Sequence, residues 1–400
     1  MRRTVARVAG PHSVSQRSLK SRLFAPAIEA SDPVLSNVGP EGPKTMRQKL
    51  LLACALAATC IFSGAAWAQE RYPITVVPPA KGPFQFPAGY QIPWDKIDML
   101  VTEKLAPNLY SLHGSSGLDP AHPDAAGGRV AVLFGPEGVL MVDTEDPQLA
   151  SKTLDTIRTF TTAPIKIVVN SHIHPDHTGG NAFFGKQGAV IFAQENLRDE
   201  MIDPPGNPVR KPDPAGVPTS TYRYTSPGTP AVTIHMNGES VDFIPMMPSH
   251  TAGDTIIRFN KANVIYIEDF YRNFGYPFAD QANGGSIKGM IDAVDLIEKI
   301  AGPDTVLVPG HGTLVTKKDL LPYRGMLVDI LAKVQKLRDQ GKSLDQVLAA
   351  NLTAPYDATT LGDTQQSKDR FIAEVYDELK DFPPVVNGTR KMPRRPAPGR

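Results

Sequence analysis

Ser171-His172-Ile173-His174-Pro175-Asp176-His177-Thr178-Gly179-Gly180 is the stretch on which the reading of this chain turns. It sets three imidazoles and a carboxylate within six positions, directly after 165–169, a β-branched run that reads as a buried strand. Neutral imidazoles and carboxylates are the ligands that suit zinc and its divalent neighbours. Side chains two apart on an extended segment point the same way, so His172 and His174 can grip one ion together. For Asp176 and His177 to face a second ion the chain must turn, and Pro175 with Gly179-Gly180 supplies the turn.

Working outward, short apolar runs deliver further polar residues at strand ends. Residues 129–134 and 139–142 flank Gly135-Pro136-Glu137-Gly138, a strand–turn–strand signal, and Asp143 ends the second run. Leu149, Leu154, Ile157 and Phe160 share a helical face. Beyond a Pro-rich loop at 203–230, Val232, Ile234 and Met236 alternate ahead of the hairpin dipeptide Asn237-Gly238, and the alternation resumes at Val241 and Phe243. Residues 255–259, 264–267 and 305–308 read as strands. Helical spacing marks 287–300, 320–340, 344–350 and 371–380. Of nine histidines, five fall in the first cluster or just after later strands, at His250 and His311. Asp269 likewise follows an apolar run. Loops gathered at one sheet edge can converge on one point. No repeat of about 20–50 residues points to a solenoid or propeller.

The order His-x-His-x-Asp-His, then His250 in Ser-His-Thr-Ala-Gly-Asp, then Asp269, then Pro-Gly-His311-Gly resembles the metallo-β-lactamase superfamily, over about 105–325. The resemblance implies an α/β (α+β) fold, an αββα sandwich of two facing sheets with helices outside and metals at one edge. It implies a first ion on His172, His174 and His250, and a second on Asp176, His177 and His311. Asp269 would bridge the two, and Asp143 would orient a metal-binding histidine. The implied cofactor is two Zn, with Fe or Mn as substitutes the donor set accepts. The implied chemistry is attack of a metal-bridging hydroxide on a carbonyl, with Asp176 as catalytic proton shuttle. No Gly-x-Ser-x-Gly elbow is present.

In the superfamily's true β-lactamases the position of Asp269 is usually Cys or Ser. An Asp there resembles the thioesterases, lactonases and esterases, so a small-molecule ester, thioester or lactone is expected. β-Lactam hydrolysis, a single-iron dioxygenase and a non-catalytic metal-binding relative are the alternatives. Phe270, Tyr271, Phe274 and Tyr276 follow Asp269 closely, with Phe278 beyond, and are candidates to line the pocket. His235 is out of phase with the apolar strand residues and should face solvent; His113 and His122 read as loop residues.

The composition is that of a globular protein, 41% hydrophobic and 21% charged, and a formal net charge of +1 gives no reason to expect nucleic acid as partner. Both cysteines, Cys54 and Cys60, lie in the apolar run 50–66, which follows Met46, Arg47 and Lys49 and ends in Ala66-Trp67-Ala68. This is the pattern of a signal peptide at 46–68 cleaved after Ala68. The expectation is a periplasmic or secreted protein without a membrane anchor after cleavage. Residues 1–45 read as a mis-assigned extension, 69–104 as an extended arm, 105–325 as the metal-binding domain, 326–380 as C-terminal helices packed on it, and 381–400 as a disordered tail.

Overall fold

Two strands precede the first one legible in the sequence. β1 (Met99–Ala106) and β2 (Leu109–Gly114) form an antiparallel pair with register shifts between Val101 and Glu103 and between Lys104 and Ala106. β1 therefore belongs to the sheet, although most of it falls in the segment expected as an arm. His113, expected in a loop, is buried in β2. The computed structural model describes residues 94–114, 127–203, 211–272, 275–360 and 364–380. Residues 1–93, with the expected leader, as well as His122, Phe274 and the expected tail, lie outside them. Among the described residues no helix is long and apolar enough to cross a membrane.

From β2 the chain runs antiparallel through β3 (Val130–Gly135) and β4 (Gly138–Val142), joined by the predicted turn with Phe134 opposite Val139. Helix α1 (Ala150–Arg158) crosses to β5 (Ile165–Val169), which lies parallel to β4. The short helices α2 (Pro175–Thr178) and α3 (Asn181–Gly185) lead to β6 (Val190–Gln194), and α4 (Glu195–Ile202) to β7 (Ser220–Tyr222), both parallel additions. The seven strands stand in sequence order.

The second sheet has the order β12-β11-β10-β9-β8. β8 (Val232–Met236) and β9 (Glu239–Pro245) form the hairpin around Asn237-Gly238, both in left-handed backbone. His235 is exposed on β8, as its phase predicts. β10 (Thr255–Phe259) and β11 (Val264–Glu268) continue antiparallel. Helix α5 (Ile287–Ile300), capped by Ser286, crosses over to β12 (Val306–Pro309), parallel to β11. Helices α6 (Lys317–Asp339), α7 (Leu344–Leu348) and α8 (Gln365–Glu378) follow. α6 runs unbroken across 325–326, where a domain boundary was expected.

The period of two explains the layers. Val130, Val132, Val139 and Met141 pack outward in a cluster with Leu149 and Ile157 beside α1. Ala131, Leu133, Leu140 and Val142 point inward and meet Phe243, Ile257, Phe259 and Tyr266 of the other sheet. On the far side Ile256, Ile265 and Ile267 pack against Met290, Val294 and Ile297 of α5 and Phe371 of α8. Strands buried on both faces read as unbroken apolar runs. The result is helix, sheet, sheet, helix, the expected αββα sandwich.

Candidate metal centre

The carboxyl ends of β4, β5, β11 and β12 and the β9–β10 turn open at one edge of the sandwich, and each contributes to one cluster. At β5, Pro175 is the first residue of α2, where its fixed φ and missing N–H cost nothing. The residue before a proline is driven extended, and His174 has φ −60 and ψ 149. The histidine segment is thus straight through His174 and turns sharply afterwards.

Three sets of side chains come within metal-ligand reach of one another: His172, His174 and His250; His172, His177 and Asp269; Asp176, His177 and His311. The first and third are the two trios expected from the sequence. Asp269 stands between them, with Oδ2 3.8 Å from His250 Nε2 and 3.2 Å from His311 Nε2, and Oδ1 3.6 Å from His177 Nε2. Asp176 Oδ2 is 3.0 Å from His311 Nε2, and its side chain is 30% exposed against 0–18% for the other six. Close packing of backbone makes this possible: a Cβ on Gly310 would collide with Asp269 Oδ1 and press on His177.

Hydrogen bonds behind four of the five imidazoles set which nitrogen faces the cluster. The Phe278 carbonyl can only accept, so His250 Nδ1 donates to it at 2.7 Å. His177 Nδ1 donates to Asp143 Oδ2 at 2.8 Å, where the sequence placed an orienting carboxylate. Asp143 also takes the Ser171 N–H at 2.7 Å and the Ser171 hydroxyl at 2.6 Å. With that proton spent, Ser171 Oγ accepts from His172 Nδ1 at 3.0 Å. His174 is reversed: Nε2 donates to Asp280 Oδ2 at 2.7 Å, leaving Nδ1 toward the cluster. The bare nitrogens therefore face inward. His250 Nε2 lies 3.0 Å from His174 Nδ1, and His177 Nε2 lies 3.3 Å from His311 Nε2. His172 Nε2 and Asp269 Oδ1 are buried without a hydrogen-bond partner. Lone pairs at such distances repel unless a proton or a cation lies between them, and a buried acceptor left unmatched costs about 1–3 kcal/mol. The donor set fits divalent metal.

The electrostatics agree. Burial, reinforced by neighbouring imidazoles, pushes His172 well down and His250 to about 3. Burial also opposes charge on His177 and His311, yet surrounding carboxylates win: Asp176, Asp269 and Asp143 hold His177 at about 9, and Asp269 and Asp176 lift His311. Against their own burial, Asp176 and Asp269 stay below the usual carboxylate range because of these histidines. Without an ion, protons on His177 and His311 supply the positive charge that two ionised carboxylates in a dry site call for, and cations would take the place of those protons.

Several contributing residues were not assigned from the sequence. Asp254, in the quoted Ser-His-Thr-Ala-Gly-Asp run, folds its turn by accepting from the N–H groups of His250 and Thr251 and the hydroxyls of Ser249 and Thr251. Burial lifts it to about 6. Glu268, buried with φ 53, accepts from the N–H groups of Asp269 and Phe270. Asp280 holds His174 through its carboxylate, and its N–H donates to the His250 carbonyl at 2.9 Å. Helix α8 braces this loop. Glu374 accepts from Ala279 N, Gln281 Nε2 donates to the Glu374 carbonyl, and Arg370 donates to the carbonyls of Tyr276 and Pro277 while lying 4.6 Å over the Phe278 ring.

The aromatic candidates need correction. Phe270 and Tyr276 are fully buried and Tyr271 nearly so, all in the cluster under the helices. Tyr276 stacks on Phe371 and Tyr271 meets Tyr323 edge-on. β11 turns Ile265 and Ile267 to that apolar layer, and the aromatics after Asp269 are drawn into it. Phe278 is the aromatic at the centre, stacked 5.9 Å from His174 and edge-on to His250.

Residues 124–311 match the sequence profile of the Metallo-beta-lactamase superfamily. Over 78 residues, 18% of this chain and 15% of the relative, the sequence is 42% identical to the linear primary-alkylsulfatase of a Pseudomonas sp. strain. The fold is similar to that of the stereoselective inverting sec-alkylsulfatase from Pseudomonas sp., with a TM-score of 0.53 and 17% identity over 70% of this chain and 50% of that one. A metallo-beta-lactamase from Pontibacter korlensis aligns at a TM-score of 0.46 and 16% identity, over 58% of this chain and 100% of its own. The chain thus spans half of the sec-alkylsulfatase and a small part of the primary one.

Proposed function

Since residues 124–311 match the metallo-β-lactamase superfamily, we propose that the histidine–aspartate centre holds two divalent cations and hydrolyses an ester of a small molecule. One observation carries this reading: five imidazoles and two carboxylates converge within metal-ligand reach of one another, and hydrogen bonds behind four of the imidazoles aim them inward. His172, His174 and His250 would hold one ion, Asp176, His177 and His311 the other, and Asp269 both. When bound, such ions make water ionisable near neutral pH and draw electron density from the bond under attack.

The remaining work falls to the protein. Asp143, Asp280 and the Phe278 carbonyl keep three imidazoles from rotating. Asp176, the most exposed of the seven, takes the proton of the attacking water and passes it to the departing alcohol as the ester C–O bond breaks.

A carboxylic ester, thioester or lactone is the first substrate class, resting on Asp269 at a position where the true β-lactamases usually have Cys or Ser. An alkyl sulfate is the second, supported by the similarity to the linear primary-alkylsulfatase. The test is to strip the protein with a chelator, reload it with zinc, manganese or iron, count bound metal, and assay esters, thioesters, lactones, alkyl sulfates and β-lactams. Two metals per chain with chelator-sensitive hydrolysis, lost in His174→Ala, is the expected result. One iron and no hydrolysis of any substrate would overturn it.

A further inference from the structure

Beside the centre lies a cavity of about 400 Å3 that the chemistry above leaves unused. Small-molecule sites run from about 300 to 1,000 Å3. Its walls come from separate parts of the fold: Ile173 and Pro175 of the histidine segment, Ala182 of α3, Met201 of α4, and Pro147 and Pro212 of the flanking loops.

The pleat that aims the ligands also makes this cavity. His172 and His174 point to the centre, so Ile173 between them points away, into the space behind α2. His174 is shared: its Nδ1 faces the other ligands while its partly exposed edge lines the cavity. Asn283 closes the same end, its Nδ2 donating to the Asp280 carboxylate that holds His174. The cavity therefore begins at the metal-ligand shell and leads away from it.

Charge narrows the occupant. Among the described residues the lining has two carboxyl groups, Glu200 and Asp213, and neither lysine nor arginine. Lys186, outside the lining, pairs with Asp213 at 2.6 Å. A neutral hydrocarbon chain would lie against the prolines, isoleucine and methionine of the lining.

We infer that this cavity is the subsite for the apolar chain of the substrate, a neutral hydrocarbon group whose ester end lies at the metal centre. The inference rests on the hydrolytic reading above and adds to it the substrate class, an amphiphilic ester.

Two measurements on the full chain test it. Calorimetric titration with 1-hexanol, 1-octanol and 1-decanol should show saturable binding that tightens about fourfold per methylene, as burial of CH2 requires, until the cavity is full. Met201→Trp, which fills the cavity, should remove that gain. In the metal-loaded enzyme the ratio of kcat/KM for a ten-carbon over a two-carbon ester should fall at least tenfold in Met201→Trp. In Ile173→Ala, which enlarges the space, the preferred chain should lengthen. Should Met201→Trp fail to fold, the Ile173→Ala shift decides. Alcohols that do not bind, or a kcat/KM ratio indifferent to both variants, would overturn the inference even if hydrolysis is real. Chain-length-dependent alcohol binding in a protein that hydrolyses nothing would instead sink the hydrolytic reading and leave the chain site standing.

Discussion

Replacing Asp280 by alanine should weaken metal binding without touching a metal-facing atom. Its carboxylate accepts from His174 Nε2 at 2.7 Å, and the pair is largely shielded, at 18% and 14% exposure. A hydrogen bond to a charged group in such a place contributes about 1.5–3 kcal/mol. That range corresponds to roughly one to two decades in affinity at 1.4 kcal/mol per tenfold. Loss of an outer partner of a ligating histidine has a similar effect, about 10–100-fold. The assay is competition of the stripped protein against a fluorescent zinc chelator, with the visible spectrum of the cobalt form as a second readout of ligand geometry. Asp280→Asn keeps an acceptor in place and should lose less. Asp280 also binds Asn283 and starts the turn Gln281–Asn283, so some loss of thermal stability is expected as well. An Asp280→Ala protein with zinc affinity within twofold of wild type would refute the idea that His174 needs to be held.

Three further outcomes are expected. Arg129 is buried against Glu103 at 2.7 Å, with Ser111 Oγ at 3.0 Å and the Gly312 carbonyl beyond His311, so Arg129→Ala should cost about 3–5 kcal/mol in urea denaturation. Removing both charges with Glu103→Leu and Arg129→Met should recover much of that loss. Burial lifts Glu374 to about 7 against the pull of Arg370. Its folded pKa then lies above its unfolded value of about 4.3, so its contribution to stability is complete below about pH 4 and is lost as pH rises through 7. Glu374→Gln, followed by urea midpoints from pH 4 to 8 with chelator present, should show a shallower decline than wild type. Saturating zinc at about 100 times its Kd should add about 2.7 kcal/mol, or about 5–11 °C in Tm at 2–4 °C per kcal/mol. A Tm indifferent to chelator would count against metal at this centre.

The parts legible in the sequence were those whose signal is local. Gly135-Pro136-Glu137-Gly138 and Asn237-Gly238 are turns by their own chemistry; β3 and β4 beside the first are apolar runs, and β8 beside the second alternates. The histidine run announced itself because Pro175 and the alternation of His172 and His174 need no distant partner. β1 escaped because Thr102, Glu103 and Lys104 interrupt its alternation, and Glu103 is buried against Arg129, which lies just before β3. The aromatics after Asp269 were misplaced because their destination depends on α5, α6 and α8, which no local pattern reveals. Asp280 could not be seen from His174 at a separation of 106 residues. Its surroundings, Asp280 through Gly285, signal a tight loop and nothing about what the loop holds.

The brace from α8 has a consequence for how the protein comes into being. His172, His174 and His177 leave the ribosome long before Glu374, Arg370 and Ser367. Until α8 folds back, the loop from Tyr276 to Gln281 lacks the partners that fix it, and with it go the acceptors for His174 and His250. If the centre takes metal as proposed, a nascent chain would carry its ligand side chains early but without their aim. Tight capture would then wait for α8, and a loaded centre would mark a chain translated and folded through to Glu378.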